Sequence, residues 1–167
     1  MSISAVRVGQ GFDIHRFSDD PSRALILGGV HFVGERGLEG HSDADVIAHA
    51  CADALLGAAG LGDIGQHFAD TDPAWKGVDS LIILDQVSVM VRAQGWQIGN
   101  IDCSVVCEQP KLAPRRDEMQ DKLSKTAGTT VSVKGRRAEG LGALGRQEGI
   151  ACWAVAVLFQ VDHRSEV

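Results

Sequence analysis

Segments with strand periodicity and segments with helix periodicity follow one another along this chain in an order that indicates a sheet covered by helices. Strand patterns occupy residues 6–12, 24–27, 30–33, 96–108, 130–134 and 150–160. Helix patterns begin near Ser42 and also occupy residues 80–94 and 114–127. The segment 96–108 is the clearest strand, because Ile101, Cys103 and Val105 recur at every second position.

This order of elements predicts an α+β fold, a mixed β-sheet with helices packed on one face. We expect a single domain over residues 1–167, with a core from 6 to 160 and a polar tail over 161–167. The apolar segment 150–160 is expected at the centre of the sheet, and Gly28 and Gly29 at the turn of a hairpin.

Charge and cysteine usage exclude several classes of protein. The net charge of −6 argues against general nucleic-acid binding, which needs a basic face. No apolar run approaches the ~20 residues of a membrane span, and the first residues have no signal-peptide character. We therefore expect a cytoplasmic protein with no membrane partner, or a mature form that has lost a targeting segment. The four cysteines form no C-x-x-C pair and are interpreted as reduced, buried thiols.

The stretch G-H-S-D-A-D-V-I-A-H-A at 40–50 combines a helix start with an unusual density of polar groups. Ser42 is the predicted N-cap, and Asp45 stands where a capping box has its acid. Helical spacing places Asp45, His49 and Asp53 in a row beside the apolar face of this helix. His41 precedes the cap, at the positive end of the helix, where anions are favoured.

A second polar stretch, G-F-D-I-H-R-F at 11–17, ends the first predicted strand. Asp13 and His15 are two positions apart, so both side chains leave the same face. With His49 they would form a three-ligand set, which suits zinc with one open position. The alternative is that His49 pairs with Asp45 or Asp53 on a hydrated helix surface, and spacing alone leaves both open.

The remaining polar segments are interpreted as loops. Residues 62–73 are a predicted loop that is either solvated or able to hold a sugar or a second metal. Residues 107–114 form a proline-bounded turn, and 134–139 are a basic segment at a strand end. Residues 140–149 are too rich in glycine for a helix and lack the lysine of a P-loop. No nucleophile motif occurs, and His67 is expected on the surface.

Taken in order, the motifs of the chain resemble those of one family. They are G-x-G-F-D-I-H at 9–15, I-L-G-G-V at 26–30, H-S-D-A-D-V-x-x-H at 41–49, D-A-L-L-G-A at 53–58, L-G-D-I-G at 61–65, F-x-D-T-D-P at 68–73, P-K-L at 110–112 and G-R-x-E-G-I-A at 145–151. The family is 2-C-methyl-D-erythritol 2,4-cyclodiphosphate synthase of the non-mevalonate isoprenoid pathway, and the similarity runs from about residue 6 to residue 160.

The resemblance implies a metal site and a substrate site. Zinc would be bound by Asp13, His15 and His49, and magnesium or manganese by Glu139 together with the substrate diphosphate. His41 and Arg137 would be catalytic. The implied substrate-binding residues are Ser42 for phosphate, Asp63, Ile64 and Gly65 for ribose, Phe68, Asp70 and Asp72 for erythritol, Cys107, Pro110, Lys111, Leu112 and Ala113 for cytosine, and Arg136, Ala138, Ala143 and Arg146 nearby.

The resemblance also implies a homotrimer with active sites between subunits. Phe12, Arg146 and Glu148 match residues that line a cavity on the three-fold axis, which can hold an isoprenoid diphosphate. The implied reaction is intramolecular: the 2-phosphate of 4-diphosphocytidyl-2-C-methyl-D-erythritol 2-phosphate attacks the β-phosphorus and CMP leaves. Such a reaction needs orientation and charge neutralisation more than a strong base.

One segment departs from the family pattern. Residues 136–138 are Arg-Arg-Ala where the family usually has a threonine-rich run, and Ala143 replaces a larger apolar residue. Arg137 stands where a threonine is thought to stabilise the transition state, so it either replaces that threonine by charge or blocks the nucleotide side of the site.

Two other functions compete with the cyclase: a zinc hydrolase that cleaves a phosphate ester or diphosphate, and a non-enzymatic trimer that senses isoprenoid diphosphates.

Overall fold

The computed structural model describes residues 2–162 of the chain. In chain order its elements are β1 Ser2–Arg16, β2 Ile26–Leu27, β3 Val30–His31, α1 Val46–Ala59, α2 Ile64–His67, α3 Ser80–Ala93, β4 Gln97–Val106, α4 Arg116–Ala127, β5 Thr130–Arg136, α5 Gly142–Gly145 and β6 Gly149–Asp162. Single 3₁₀ turns occupy Pro73–Trp75 and Ala113–Arg115.

The main sheet has the strand order β1-β6-β4-β5. β6 pairs antiparallel with both β1 and β4, whereas β4 and β5 are parallel and joined through α4. The predicted mixed sheet and the central position of the 150–160 segment are thereby confirmed. β2 and β3 form the predicted hairpin, with Gly28 and Gly29 both at positive φ.

The core lies between one face of the sheet and the helices. On that face β4 contributes Ile101, Cys103 and Val105, all fully buried, as their alternation predicts. α1 packs on β1 and β6, and α3 packs on α1. All four cysteines are buried, as predicted, and none of them forms a disulfide in the described residues.

Two glycines of β1 determine how closely α1 approaches the sheet. A Cβ atom added at Gly9 would lie 2.1 Å from the carbonyl oxygen of Ala54, and one at Gly11 would lie 2.1 Å from that of Ala50. The backbone of α1 therefore lies directly against the strand. Because side chains alternate, Asp13 is the next residue of β1 on this same face.

The start of α1 differs from its prediction. The helix begins at Val46, and its N-cap is Asp45, whose carboxylate accepts from the N–H groups of Ile47 and Ala48. The prediction of Ser42 as N-cap is wrong. Asp45 is fully buried and also accepts from the N–H groups of Gly28 (2.9 Å) and Gly29 (2.6 Å), so it fastens the hairpin to the helix.

The predicted row of polar side chains along α1 is likewise wrong. Asp45 turns toward the hairpin, and Asp53 accepts from the N–H of Ile64 at 3.2 Å. Only His49 remains facing the strand. The alternative in which His49 pairs with Asp45 or Asp53 on a hydrated surface is thus wrong as well.

Two segments predicted as loops contain short regular elements. Residues 62–73 include α2, whose N-cap is Asp63, and Asp72 caps the following 3₁₀ turn. The glycine-rich segment 140–149 contains the single turn α5. At the other end, β6 extends through Asp162, so only residues 163–167 of the predicted polar tail lie outside the described residues.

The second face of the sheet is apolar and exposed. Val6 and Val8 of β1 are 58% and 65% exposed, and the ring of Phe12 lies 4.8 Å from that of Trp153 in β6, centroid to centroid. Aliphatic and aromatic side chains together on an exposed face are typical of an interaction surface. None of the helices in residues 2–162 is long and apolar enough to cross a membrane.

Candidate active site

Three predicted metal ligands meet where β1 ends against the first turn of α1. Oδ2 of Asp13 lies 2.9 Å from Nδ1 of His49 and 3.0 Å from Nε2 of His15. Nε2 of His15 lies 3.4 Å from Nδ1 of His49. One ligand atom from each residue thus falls within 4.8 Å of the others, and two imidazoles with one carboxylate are a donor set for a divalent metal.

Asp13 and His15 each favour the charged form of the other. Burial by itself would raise the pKa of Asp13, but the hydrogen bonds and charges of His15 and His49 outweigh burial and hold that pKa well below its usual range. Burial would lower the pKa of His15, and the hydrogen bond and charge of Asp13 instead raise it. Asp13 is therefore an anion at neutral pH, ready to bind a cation.

The far side of the His49 ring is held by hydroxyl groups. Nε2 of His49 lies 2.8 Å from Oγ of Ser80 and 3.1 Å from Oγ of Ser42. Both serines are buried, and Ser80 also donates to Asp43. The hydroxyl of Ser42, predicted to contact substrate phosphate, is thus turned inward to the His49 ring.

A cavity of about 340 Å³ opens beside the three ligands. Of the predicted substrate residues it is lined by His41, Ser42, Ile64, Gly65, Phe68 and Asp70. Asp63 and Asp72 do not line it, because their carboxylates cap the helical turns that follow them. The cavity is therefore built largely from the predicted segments, with polar groups such as Asp13 and an aromatic ring, Phe68, in its wall.

Sequence reasoning missed several residues at this cavity. Trp75 lines it and packs edge-on against Phe68, with ring centroids 4.9 Å apart, and Ala69 and Ile83 complete the wall. An aromatic residue two positions after the D-T-D-P motif was the only signal available for Trp75.

A second cavity, of about 250 Å³, lies at the carboxyl ends of β4 and β5. Its lining joins the predicted cytosine residues to the basic segment: Cys107, Glu108, Gln109, Pro110, Lys111, Leu112, Ala113, Arg116, Gly135, Arg136 and Arg137. Leu112 is buried and packs against Gly135, so the floor is apolar. The rim carries several cations, and the combination suits a flat, uncharged ring joined to an anionic group.

Arg137 is bound to a carboxylate of this rim. Its Nε and terminal nitrogen both lie 2.9 Å from Oε2 of Glu108, whose side chain is only 6% exposed. The N–H of Gly140 donates to the other Glu108 oxygen, and this bond, with Arg137, lowers the pKa of Glu108. Arg137 thus fastens the segment that follows β5.

The remaining predicted residues lie on that same segment. Glu139 is exposed and has a positive φ of 52°, an uncommon conformation for a residue with a Cβ atom. Ala138 lines neither cavity. Ala143 lines a third cavity, of about 240 Å³, together with His15, and Arg146 pairs with Glu148 at 2.7 Å.

In the described part of the chain, the cluster of Asp13, His15 and His49 and the second cavity are separate: none of the three lines that cavity.

The segment 6–159 matches the family model described as the YgbB family. The chain belongs to the YgbB family. The resemblance drawn from its motifs is thereby confirmed.

Named relatives agree with this family. The chain is 52% identical over 164 residues to a protein of a Nostoc species named 2-C-methyl-D-erythritol 2,4-cyclodiphosphate synthase, with 96% of this chain and 98% of that protein covered. It is 51% identical to a bifunctional enzyme IspD/IspF of Anaeromyxobacter dehalogenans, where 92% of this chain matches 40% of the longer protein.

Solved structures share the fold. The bifunctional IspDF from Campylobacter jejuni superimposes with a TM-score of 0.90 at 40% identity, covering 96% of this chain and 44% of that one. The CDP complex of IspF from Plasmodium falciparum gives a TM-score of 0.82 at 32% identity, covering 96% and 100%. The mixed sheet with helices on one face is thus the fold of these family members.

Proposed function

We propose that this chain converts 4-diphosphocytidyl-2-C-methyl-D-erythritol 2-phosphate to 2-C-methyl-D-erythritol 2,4-cyclodiphosphate and CMP, acting in the cytoplasm. The observation that carries the proposal is the cluster of Asp13, His15 and His49 on an open cavity in a chain of this family. An oxygen of the 2-phosphate forms a bond to the β-phosphorus, the bond from that phosphorus to the bridging oxygen breaks, and CMP leaves.

The reaction needs orientation more than proton transfer. The attacking phosphate is already an anion at neutral pH, so the site requires no strong base. Folding a flexible substrate so that its two ends meet supplies effective molarities up to ~10⁵–10⁸ M in favourable cases. Two apolar walls, at Phe68 and Leu112, and two polar ends are suited to hold such a folded molecule.

Asp13, His15 and His49 fit a zinc ion, because two imidazole nitrogens and one carboxylate oxygen leave a fourth position open. Bound there, the ion would neutralise phosphate charge and polarise a phosphoryl oxygen. The chain's own part is to hold these ligands at the cavity wall. His41 lines the same wall and would donate to the phosphate beside them, whereas Ser42 would offer its backbone, since its hydroxyl is engaged.

The second cavity would hold the cytidine part. The loop 107–113 would enclose the cytosine ring, with the apolar side chain of Leu112 beneath it. Arg136 and Lys111 would offset phosphate charge. Glu139 is exposed beside Arg137 and would bind magnesium or manganese together with the substrate diphosphate.

The complete site is proposed to form between subunits of a homotrimer. Two features support this: the cluster and the cytosine cavity lie apart in one chain, and the second face of the sheet is apolar and exposed. A neighbouring copy would cover Val6 and Val8 and bring its cytosine cavity to this metal cluster. The three-fold axis would then be lined by Phe12, Arg146 and Glu148 and would admit an isoprenoid diphosphate. Sedimentation should give the mass of three chains.

Product analysis tests the proposal. Protein loaded with zinc and magnesium should release CMP from the substrate, and chelation by EDTA should abolish the release. A zinc hydrolase would yield a ring-opened phosphate in place of the cyclic diphosphate. A protein that binds zinc and forms a trimer but leaves the substrate intact would contradict the enzyme and favour a binding role.

A further inference from the structure

We infer that Ser80 and Asp43 are positioning residues for the metal ligand His49: the pair fixes which imidazole nitrogen carries the proton and so leaves the other free to bind the ion. The inference rests on the proposed metal site. It concerns two residues outside the predicted ligand and substrate sets, one at the first position of α3 and one in the loop before α1.

The hydrogen bonds around His49 have a definite direction. Nδ1 faces Oδ2 of Asp13 at 2.9 Å and Nε2 of His15 at 3.4 Å, so it is the nitrogen that would bind the ion. Nε2, at the other edge of the ring, lies 2.8 Å from Oγ of Ser80 and 3.1 Å from Oγ of Ser42, so Ser80 is its nearer partner. A metal-binding Nδ1 carries no proton, so Nε2 must carry it and must find an acceptor.

Asp43 makes Ser80 that acceptor. A carboxylate only accepts, and Oδ1 of Asp43 takes the single hydroxyl proton of Ser80. The lone pairs of Ser80 Oγ are then left for the N–H of His49. The N–H of His49 therefore donates to Ser80, and the hydroxyl of Ser80 donates to Asp43. A metal-binding histidine usually donates its other N–H to a carboxylate, and here a hydroxyl stands between the two.

Capping of α3 does not account for the Ser80 hydroxyl. Asp79 is the N-cap of that helix and accepts from the N–H of Leu81 at 2.8 Å. The backbone N–H of Ser80 is satisfied separately by Oδ2 of Asp43 at 3.2 Å. The fully buried hydroxyl thus serves side chains of the metal cluster and its loop, and it also lies 3.1 Å from the hydroxyl of Ser42.

The loop that supplies Asp43 adopts a backbone that favours this arrangement. Ala44 has a positive φ of 59°, an uncommon conformation for a residue with a Cβ atom. Asp43 also donates its backbone N–H to the carbonyl of Val78 at 3.0 Å, just before α3. The carboxylate is therefore held between the two helices, where it reaches the Ser80 hydroxyl.

The test uses the full chain with the substitution Ser80→Ala and the matched control Ser88→Ala. Ser88 lies on the same helix and is equally buried, but its hydroxyl donates to the carbonyl of Leu84 at 2.8 Å, away from the cluster. Zinc affinity is measured by competition with a chromophoric chelator, and the visible spectrum of the Co²⁺ form reports ligand geometry. Wild type and His49→Ala are measured beside them.

We expect Ser80→Ala to weaken zinc binding by roughly 10–100-fold and to change the Co²⁺ spectrum. Ser88→Ala should match wild type, and Ser80→Thr, which keeps the hydroxyl, should restore most of the affinity. If Ser80→Ala does not fold, Asp43→Asn provides the second test. The amide of asparagine can donate to the Ser80 hydroxyl, so that hydroxyl is no longer fixed as the acceptor for the N–H of His49.

Equal zinc affinities and spectra for Ser80→Ala and Ser88→Ala would overturn the inference while leaving the metal site in place. A wild type that binds no zinc, or a His49→Ala variant that binds it as well as wild type, would instead remove the metal site itself. The two failures are therefore distinguishable.

Discussion

Nδ1 of His49 lies 2.9 Å from Oδ2 of Asp13, although the two residues are 36 positions apart. This approach is a consequence of the strand before Asp13. Gly11 has no side chain between β1 and the backbone of Ala50, so the first turn of α1 rests on the strand. The metal cluster is thus produced by the packing of one helix on one strand.

Removal of the His49 imidazole should remove the metal. His49→Ala leaves two ligands, and we expect purified protein to contain less than about a tenth of the zinc of wild type. Metal content is measured by atomic emission after dialysis. The control is His31→Ala, because His31 is exposed on the hairpin and outside the cluster. An unchanged zinc content in His49→Ala would refute the ligand assignment.

Gly11→Ala should both destabilise the fold and weaken the metal site. The added methyl group would meet the Ala50 carbonyl oxygen, and neither backbone can yield easily, so we expect a loss of about 3 kcal/mol or more in the free energy of unfolding. Urea denaturation measures this change. Gly57→Ala is the control: Gly57 is exposed within α1, and a Cβ atom there would lie 3.8 Å from the carbonyl oxygen of Gln10, an ordinary contact. It should be neutral or stabilise by up to about 1 kcal/mol.

The metal-free protein should show a stability that depends on pH through Asp13 and His15. The pKa of Asp13 is held below its ordinary value of 3.8, so its stabilisation is present above about pH 4 and is lost as the pH falls. The pKa of His15 is raised above 6.5, so its stabilisation is present below that pH and is lost as the pH rises through the raised pKa.

The two contributions overlap between about pH 4 and 6.5, where the pair should stabilise the metal-free protein most. Melting temperatures in EDTA at pH 5.5 and 8 test this, with Asp13→Asn as the comparison, because that variant lacks the ion pair. With zinc the trend should reverse, since the metal competes with protons for His15. A wild-type pH profile in EDTA identical to that of Asp13→Asn would contradict the assignment.

Arg137→Thr should retain or raise activity. Threonine restores the side chain usual in the family, and the Arg137 guanidinium is already engaged by Glu108. The measurement is kcat/KM for CMP release. Arg115→Thr is the control, because Arg115 forms a similar pair with Glu118 outside the cavity. A fall to background in Arg137→Thr alone would show that this chain uses the arginine in a way that threonine cannot replace.

The regular part of the fold could be predicted because its periodicity is local. Alternation in β4 and the apolar face of α1 follow directly from burial, and both are present in the structure. The start of α1 could not be placed, because Ser42 and Asp45 both satisfy the capping pattern. The choice between them depends on the hairpin N–H groups that only the folded chain brings to Asp45.

The candidate site, like the fold, could be predicted where the signal is local in the sequence and not where it depends on packing. Asp13 and His15 are recognisable because strand spacing alone puts them on one face. Ser80 and Trp75 are not, since their places depend on the packing of α3 and of the loop before it on α1. The short turns after Asp63 and Asp72 were missed because a single helical turn has no periodicity to detect.

The most direct test of the proposed function is phosphorus NMR of the reaction in water enriched in ¹⁸O. The protein is incubated with zinc, magnesium and 4-diphosphocytidyl-2-C-methyl-D-erythritol 2-phosphate. Attack by the substrate's own phosphate predicts two coupled signals of a cyclic diphosphate, together with CMP, and no ¹⁸O in either product. Ring-opened phosphate carrying ¹⁸O would show that water is the nucleophile, and the cyclase assignment would then be wrong.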